Sequence, residues 1–376
     1  MRSPLHALCP YFAMFPEAFV EHNIRLFTRP GDYVFDPFSG RGTTILQALL
    51  MARNAAGSDI NPVAFCLSAA KADVPCQEFV LRALNRLECE YMTYSQQDLE
   101  EERASLPPFF KRAFYFVTLR QILFLRRRLD WCSDRVHRFI AALVLGSLQG
   151  EMDRSKSYFS NQMPRTICPK PGYSLRYWRS RNLWPKKRDI FSILRERAKL
   201  RLGGERPRKK GLVTLRDVRE VGGSFPSLRH KVKAVITSPP YFNTTNTEED
   251  QWLRLWFLGH EPRPTYNQIS RDDRHTSKNS YWRFLAEAWN GIRPLVQPNA
   301  VLVCRLGAKG MLEEEISNGL ITSVMSAFPD AYLLTPPTRS EIRKRQTEAF
   351  RPGSSGCLFE VDYVFALPPT QSENLI

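Results

Sequence analysis

The sequence predicts an α/β fold built on a mostly parallel sheet of seven strands, interrupted by a helical and basic insertion. Apolar runs of strand length alternate with segments of helical spacing, which favours parallel strands with crossover helices. Five of the seven strand-like segments follow a long stretch without any. The predicted division is therefore 1–77 and 211–376 for the sheet domain, with residues 78–210 as the insertion.

The first part of the predicted sheet lies near the N-terminus. YVFDPF (33–38) is typical of a buried strand, and TTILQALLMAR (43–53) places apolar residues at helical spacing. NAAGSDI (54–60) predicts a second strand, and PVAFCLSAAKA (62–72) a second helix. Strand, glycine turn, helix, strand and acid together are typical of half of a nucleotide-binding α/β fold.

The remaining segments complete this pattern after the insertion. The later strands are predicted at GLVTLRDV, VKAVITSPPY, NAVLVCRLG, AYLLTPP and CLFEVDYVFAL. Within the insertion, charged segments of helical spacing and the apolar RFIAALVLGSLQG precede a basic stretch punctuated by prolines. The insertion is thus predicted to be helical first and basic afterwards.

Composition excludes several classes of protein. No apolar run approaches the roughly 20 residues that a membrane span requires. The start MRSPLHALCPYF lacks the apolar core of a signal peptide, so we expect a cytoplasmic protein. The eight cysteines are scattered, without C-x-x-C or zinc-ligand spacing, which predicts reduced thiols and no metal site.

Positive charge is concentrated in one segment. The chain carries a net charge of +16, and residues 151–210 hold 18 Lys and Arg against five Asp and Glu, a net +13. The aromatic residues of that segment are Tyr158, Phe159, Tyr173, Tyr177, Trp178 and Trp184. Basic and aromatic side chains together suit phosphate contacts and base stacking, although a solvated basic surface over ordinary core aromatics gives the same pattern.

The turn FSGRGTT after the first strand predicts a nucleoside site. Gly40 and Gly42 let the backbone turn tightly beside a ligand. The turn lacks the P-loop lysine, and Ile45 replaces the third glycine of a dinucleotide fingerprint. Asp36 ends the first strand and Asp59 the second, where an acid can accept from ribose hydroxyls. A plain strand-to-helix turn with a surface acid is the alternative.

The segment TSPPYFN (237–243) is the more specific signal. Two prolines after an apolar strand make a rigid exit from the sheet. Ser238 offers a hydroxyl there, the Pro239 carbonyl can face outward because Pro240 has no N–H, and Tyr241 adds a flat ring. Such a group can hold an exocyclic amine while the ring stacks on its base. A simple strand-ending turn is the alternative.

DPFSGRGTT, GSDINP and TSPPY together resemble the S-adenosylmethionine-dependent amino-methyltransferases of DNA, over roughly residues 6–75 and 211–365. The resemblance implies a Rossmann-like class I methyltransferase fold, S-adenosylmethionine as cofactor and double-stranded DNA as substrate. The implied cofactor residues are Phe15, Pro16, Asp36, Phe38, Gly40, Gly42, Asp59 and Asp217. The implied target-base residues are Ser238, Pro239, Pro240 and Tyr241.

The resemblance also implies a mechanism and a preferred base. Hydrogen bonds from the amine to Ser238 and the Pro239 carbonyl would free the nitrogen lone pair for direct attack on the sulfonium methyl. The base would first leave the duplex. In this family, serine before Pro-Pro-Tyr favours the N4 of cytosine, with the N6 of adenine as alternative. Whether a restriction endonuclease acts on the same site stays open.

Three further alternatives are weighed against this interpretation. An RNA base methyltransferase or a degenerate, non-catalytic binder would share parts of the pattern. Cys76 in VPCQ resembles the nucleophile of C5-cytosine enzymes, but it follows the second strand, so we interpret it as structural. The candidates for guanine contacts in the insertion are Arg165, Arg176, Arg179 and Arg181.

Overall fold

The computed structural model describes residues 2–11, 15–150, 157–160, 170–244, 247–270, 277–342 and 357–369. The chain forms two compact units. Unit 1 comprises Met1–Phe12, Ala69–Arg206 and Asn246–Ile269, and unit 2 comprises Ala13–Ser68, Pro207–Thr245 and Ser270–Ile376.

Unit 2 contains the sheet. Its strands are β1 (Tyr33–Asp36), β2 (Asn54–Asp59), β3 (Leu212–Leu215), β4 (Val232–Thr237), β5 (Val296–Leu306), β6 (Tyr332–Leu333), β7 (Thr338–Glu341) and β8 (Phe359–Leu367). They follow the order β3-β2-β1-β4-β5-β8-β6, with β7 also paired to β8. The pairs among β1 to β5 are parallel, whereas β8 runs antiparallel to β5, β6 and β7.

The predicted α/β class is confirmed, with two refinements. The sheet is mixed, because β8 reverses direction, and the described residues form eight strands instead of seven. The additional strand, β7, has the polar sequence TRSE with all four residues exposed. No apolar alternation marks such a strand in the sequence, so its pairing with β8 is visible only in the fold.

Helices flank this sheet. Those with residues in unit 2 are α1 (Glu17–Phe27), α2 (Thr43–Leu50), α3 (Pro62–Ala72), α12 (Lys278–Ile292) and α13 (Glu313–Ala327). Apolar residues of β4, β5 and β8 share one buried cluster with α12 and α13, including Leu302, Phe365 and Trp289. This core fixes β4, whose carboxyl end directly precedes Ser238 of the candidate site.

Unit 1 is helical in the part that the structure describes. Its helices are α4 (Gln77–Thr93), α5 (Gln96–Ser105), α6 (Pro108–Ala113), α7 (Phe116–Arg128), α8 (Arg135–Leu145), α9 (Pro171–Ser180), α10 (Ile190–Leu202) and α11 (Thr247–Phe257). Phe139 to Leu145 of α8 are all buried, as their continuous apolar sequence predicts. Unit 1 also includes residues 246–269, which the sequence placed with the sheet, and the three-part division at 77 and 210 stays a prediction.

None of the helices in the described residues has both the length and the apolar character needed to cross a bilayer.

Candidate functional site at the carboxyl edge of the sheet

The parallel order β3-β2-β1-β4 gathers the sequence-predicted residues at one edge of unit 2. Asp36 and Asp59 are the last residues of β1 and β2, and Ser238 directly follows β4. Asp217 lies two residues beyond β3. Ligands of open α/β sheets bind outside the carboxyl ends of the strands, so this edge is the candidate site.

The turn between β1 and α2 depends on two glycines in left-handed conformations. Gly40 has φ 49° and Gly42 has φ 73°, values that a side chain disfavours. The amide of Gly42 donates to the carbonyl of Ser39 at 2.7 Å, and Gly42 itself precedes the first residue of α2. The backbone therefore turns sharply directly above the end of β1.

A third glycine, which the sequence analysis did not single out, makes this turn possible. A Cβ on Gly57 of β2 would lie 2.4 Å from the Ser39 hydroxyl oxygen and 2.7 Å from the Asp36 carbonyl oxygen. The turn thus packs directly on the backbone of β2. A glycine inside an otherwise apolar strand often marks such a close approach, and that signal was available in NAAGSD.

Asp59 holds the turn from the neighbouring strand. Its Oδ2 accepts from the Gly40 amide at 2.9 Å, and its Oδ1 accepts from the Asn61 amide at 2.9 Å. Asp59 therefore braces the glycine turn in addition to the ribose role expected of it.

Asp36 is buried and connects the two halves of the site. Its Oδ1 accepts from the Phe38 amide at 3.1 Å and from the Thr237 hydroxyl at 2.6 Å. Burial raises the pKa of Asp36 to about 6, although hydrogen bonds from Thr237, Thr44 and Phe38 oppose the rise. Thr237 is the last residue of β4, so one hydrogen bond joins the glycine turn to the strand that carries Ser238.

The aromatic residues expected around the cofactor lie in different surroundings. The ring of Phe38 packs 6.1 Å from that of Phe284 and 6.5 Å from that of Trp289, measured between centroids. Phe15 lies 5.6 Å from Phe19, and Pro16 precedes the first residue of α1. These contacts anchor Phe38 in the core of unit 2 and Phe15 against α1.

Asp217 is held by local contacts. Its Oδ1 accepts from the Arg219 amide at 3.0 Å, and its Oδ2 pairs with the Arg219 guanidinium at 2.7 Å. It caps the 3-10 helix Val218–Ser224 that follows β3. The cap explains an aspartate at this position without any ligand, so its adenine role stays a prediction.

The tetrapeptide after β4 leaves the sheet as a rigid extension. The Ser238 hydroxyl lies 3.4 Å from the Tyr241 hydroxyl, and the Pro240 carbonyl accepts from the Tyr281 hydroxyl at 3.0 Å. Among the described residues, none donates a hydrogen bond to the Pro239 carbonyl. The groups expected to hold an amine are thus a hydroxyl and a carbonyl on adjacent residues.

Tyr241 is fixed by a partner that the sequence did not indicate. Its hydroxyl donates to Oε1 of Glu360 on β8 at 2.8 Å. Burial, together with the negative charge of Glu360, raises the pKa of Tyr241 well above its ordinary value of 10.0. Tyr241 therefore stays a neutral phenol at every pH near neutrality. In the sequence, Glu360 stands in the polar half of an alternating strand, a pattern that indicates solvent exposure.

Some aromatic residues of the basic segment, residues 151–210, are buried and others are exposed. Phe159 and Trp178 are buried, and Trp178 packs 5.4 Å from Phe109 in unit 1, so the core interpretation holds for these two rings. Tyr173 and Trp184 are 56% and 64% exposed. The guanidinium of Arg181 lies 4.0 Å from the ring centroid of Tyr177. Arg176, Arg179 and Arg181 are exposed, whereas Arg165 lies outside the described residues.

No metal centre is visible in the described residues. Within them, no group of three His, Cys, Asp or Glu side chains is arranged to hold a metal ion. Cys76 is an exposed free thiol directly before α4 in unit 1, whereas the tetrapeptide belongs to unit 2.

The chain matches a known family over its N-terminal part. Residues 4–70, which include the glycine turn and Asp59, match the model of a family described as DNA methylase. The resemblance to the DNA amino-methyltransferases is thereby confirmed, and S-adenosylmethionine is the cofactor to expect at this edge of the sheet.

A curated relative supports the same family over a short region. The chain is 31% identical over 83 residues to the type II methyltransferase M.MjaII of Methanocaldococcus jannaschii. The matched region is 22% of this chain and 15% of that protein's length. Because the overlap is so short, the activity and the substrate of the whole chain are matters for proposal.

Solved structures resemble the whole chain only loosely. TrmN of Thermus thermophilus has a TM-score of 0.37 at 9% identity, over 96% of this chain and 52% of that one. A SAM-dependent methyltransferase of Methanosarcina mazei has a TM-score of 0.36 at 7% identity, over 95% and 99% of the two chains. With TM-scores this low, neither adds to the argument on function.

Proposed function

We propose that this protein is a DNA methyltransferase that transfers the methyl group of S-adenosylmethionine to the N4 amine of cytosine. The observation that carries the proposal is the 2.6 Å hydrogen bond from Thr237 to Asp36. It ties the glycine turn, in the segment that matches the DNA methylases, to the Ser238–Tyr241 tetrapeptide. One edge of the sheet thus carries the features expected for a methyl donor and for an amine acceptor.

The residues at the edge fit the proposed cofactor. The left-handed Gly40 and Gly42 and the close approach of the turn to Gly57 keep side chains away from the strand ends. Asp36 offers a buried carboxylate for a cationic amine, and the carboxylate of Asp59 at the end of β2 is the expected acceptor for ribose hydroxyls. Phe15, Pro16 and Phe38 would enclose the methionine side, and Asp217 would accept from the adenine amine. S-adenosylmethionine supplies an electrophilic methyl group.

The tetrapeptide supplies the contacts that the amine requires. The Ser238 hydroxyl and the Pro239 carbonyl accept hydrogen bonds from the two amine hydrogens, which favours a pyramidal nitrogen with its lone pair free. Tyr241 stacks on the base, and Pro240 keeps the backbone rigid, with its carbonyl held by Tyr281. The protein contributes orientation and water exclusion, and no covalent intermediate with the enzyme is needed.

Duplex DNA is the proposed substrate. The family match supports DNA, and the exposed arginines of α9 and the residues after it offer contacts to phosphates. A base inside a duplex is inaccessible to such a pocket, so the cytosine must be flipped out. The serine before Pro-Pro-Tyr favours cytosine, and a restriction endonuclease with the same site would be the natural partner of such an enzyme.

The deciding experiment identifies the product. Purified protein is incubated with S-adenosylmethionine carrying a labelled methyl group and with unmethylated duplex DNA, which is digested to nucleosides for mass spectrometry. N4-methylcytosine is expected. N6-methyladenine would retain the enzyme class and overturn the assignment from Ser238. A labelled base in tRNA or rRNA, with none in DNA, would overturn the substrate, and no transfer to either would overturn the activity.

Cys76→Ser serves as a matched control in that assay. Cys76 is exposed and outside unit 2, so the variant should retain the full rate. A near-total loss in a folded Cys76→Ser protein would instead favour a cysteine nucleophile and C5 chemistry.

A further inference from the structure

The structure assigns a positioning function to Glu360 and Arg305, two residues of β8 and β5 that lie outside every motif of the sequence. We propose that Glu360 fixes the ring of Tyr241 for the target base and that Arg305 couples this contact to α1. The inference rests on the proposed function, because it concerns how the base pocket of that methyltransferase is held.

The contact to Tyr241 is short and buried. The phenol donates to Glu360 Oε1 at 2.8 Å while its oxygen lies 3.4 Å from the Ser238 hydroxyl. A second constraint comes from Gly307, where a Cβ would lie 3.0 Å from Cε2 of the tyrosine ring. The ring is therefore held at its edge by backbone and at its hydroxyl by a carboxylate. Without Glu360, the phenol would lose its acceptor, and a buried donor left without an acceptor is destabilising.

Glu360 is itself held in place by Arg305. The Arg305 Nη1 lies 3.7 Å from Glu360 Oε2, while Nε and Nη2 form paired hydrogen bonds of 2.6 and 2.7 Å to Asp362. The guanidinium side chain is only 11% exposed. Burial lowers the pKa of Arg305, but the hydrogen bond and charge of Asp362 outweigh it and the net shift is upward. Arg305 is thus a fixed cation that orients two carboxylates of β8.

Arg305 also reaches the N-terminal segment. Its guanidinium lies 4.0 Å from the ring centroid of Phe19 on α1, a geometry that stabilises a cation over a ring. Phe19 in turn lies 5.6 Å from Phe15, which is expected beside the cofactor. A continuous series of contacts therefore links Ser238 to α1 through Tyr241, Glu360 and Arg305. Both proposed pockets depend on the same arginine.

The test compares Glu360→Ala and Glu360→Gln with the parent enzyme. The control is Glu341→Ala, since Glu341 is a 60% exposed acid on the neighbouring strand β7. Glu360→Ala should lower kcat about tenfold or more, with the Kd of S-adenosylmethionine within about twofold of the parent. Glu360→Gln should recover most of the rate, because its amide oxygen can accept the same hydrogen bond. The control should match the parent.

A double-mutant cycle separates positioning from a general structural effect. If Glu360 acts through the phenol, Tyr241→Phe should lose a similar factor in kcat, and adding Glu360→Ala to it should cost little more. Arg305→Lys keeps the positive charge but loses the planar, bidentate guanidinium. It should therefore lower kcat and also weaken the binding of S-adenosylmethionine, unlike either Glu360 variant.

Several outcomes would overturn the inference while leaving the proposed function intact. An unchanged kcat in Glu360→Ala would exclude positioning through Tyr241. The same conclusion would follow if the losses in kcat of the two single variants multiplied fully in the double variant. If Glu360→Ala fails to fold, Tyr241→Phe decides, because it removes the same hydrogen bond from the other side and an unchanged rate would refute the role. A parent protein without methyl transfer would instead refute the proposed function.

Discussion

The glycine turn and the Ser238–Tyr241 tetrapeptide lie at the same edge of the sheet but are held in different ways. The turn is held mostly by residues close in sequence, such as Asp59, which is 19 positions from Gly40. The tetrapeptide is held by residues far away, with Tyr281 at 41 positions from Pro240 and Glu360 at 119 from Tyr241. The contacts that hold the turn can consequently be predicted from the sequence, whereas those that hold the tetrapeptide can be predicted only in part.

This difference has a consequence for mutation. Damage to the turn should act through backbone geometry and reduce cofactor binding. Damage to the tetrapeptide should act through side-chain contacts and reduce the rate of transfer. The hydrogen bond from Thr237 to Asp36 is where the two regions meet, at a separation of 201 positions.

The largest effect is expected from Gly57→Ala. A Cβ there would lie 2.7 Å from the Asp36 carbonyl oxygen and 2.4 Å from the Ser39 hydroxyl, so the turn must move. We expect a destabilisation of about 1–3 kcal/mol. The binding of S-adenosylmethionine, measured by calorimetry, should weaken by about tenfold or more.

Gly223→Ala is the matched control, because nothing lies within 4 Å of the position its Cβ would take. Equal affinities for S-adenosylmethionine in the two variants would contradict this prediction, since backbone clearance beneath the turn would then be irrelevant to the cofactor.

Ser238→Ala should show the opposite signature. It removes a hydroxyl expected to accept from the target amine, at about 1–3 kcal/mol of transition-state stabilisation, or roughly five- to 160-fold in kcat. The Kd of S-adenosylmethionine should stay unchanged, because the turn keeps its own hydrogen bonds. Single-turnover rates and calorimetry on Ser238→Ala and on the exposed Ser326→Ala test this, and a cofactor defect as large as the rate defect would contradict it.

Asp36→Asn should make the folded protein more stable but weaken cofactor binding, at the residue that joins the turn to the tetrapeptide. The pKa of Asp36 is about 6 in the folded protein against an ordinary 3.8. Below pH 3.8 the acid is protonated in both folded and unfolded chains, and the stability it contributes is lost as pH rises through about 6. At neutral pH the buried charge therefore costs about 3 kcal/mol.

The asparagine variant avoids this cost. We expect urea unfolding to show Asp36→Asn more stable than the parent above pH 6, with the difference shrinking toward pH 4. The same variant should bind S-adenosylmethionine more weakly, because it lacks the negative charge. A stability difference independent of pH would refute the raised pKa.

The smallest effects are expected outside both regions. Arg179→Ala and Arg181→Ala should each weaken DNA binding modestly and reduce the slope of log K against log salt by about 1. They should leave the binding of S-adenosylmethionine unchanged. Arg82→Ala, which removes an exposed arginine of α4, is the control, and an equal effect there would show that only net charge matters.

Several features were predictable from the sequence because their causes are local. Strand and helix positions follow from the periodicity of apolar residues, and α3 occupies the predicted residues 62–72. The left-handed turn follows from Gly40 and Gly42, and the exit after β4 from two prolines. The motifs themselves were enough to indicate the methylase family, which the match to residues 4–70 confirms.

The tertiary structure decided what depends on distant partners. The strand TRSE carries no apolar pattern and forms because β8 offers an unpaired edge. Trp178, counted by the sequence among rings that could stack on bases, is buried because neighbouring helices cover it. Glu360 looks like a solvent-facing residue of an alternating strand, and Arg305 is a single charge in the apolar run of β5. Only the antiparallel register of β5 and β8 brings them to Tyr241. Periodicity reports which face of an element is apolar, whereas a buried polar contact depends on which element lies opposite, and that is fixed by the packing of the whole sheet.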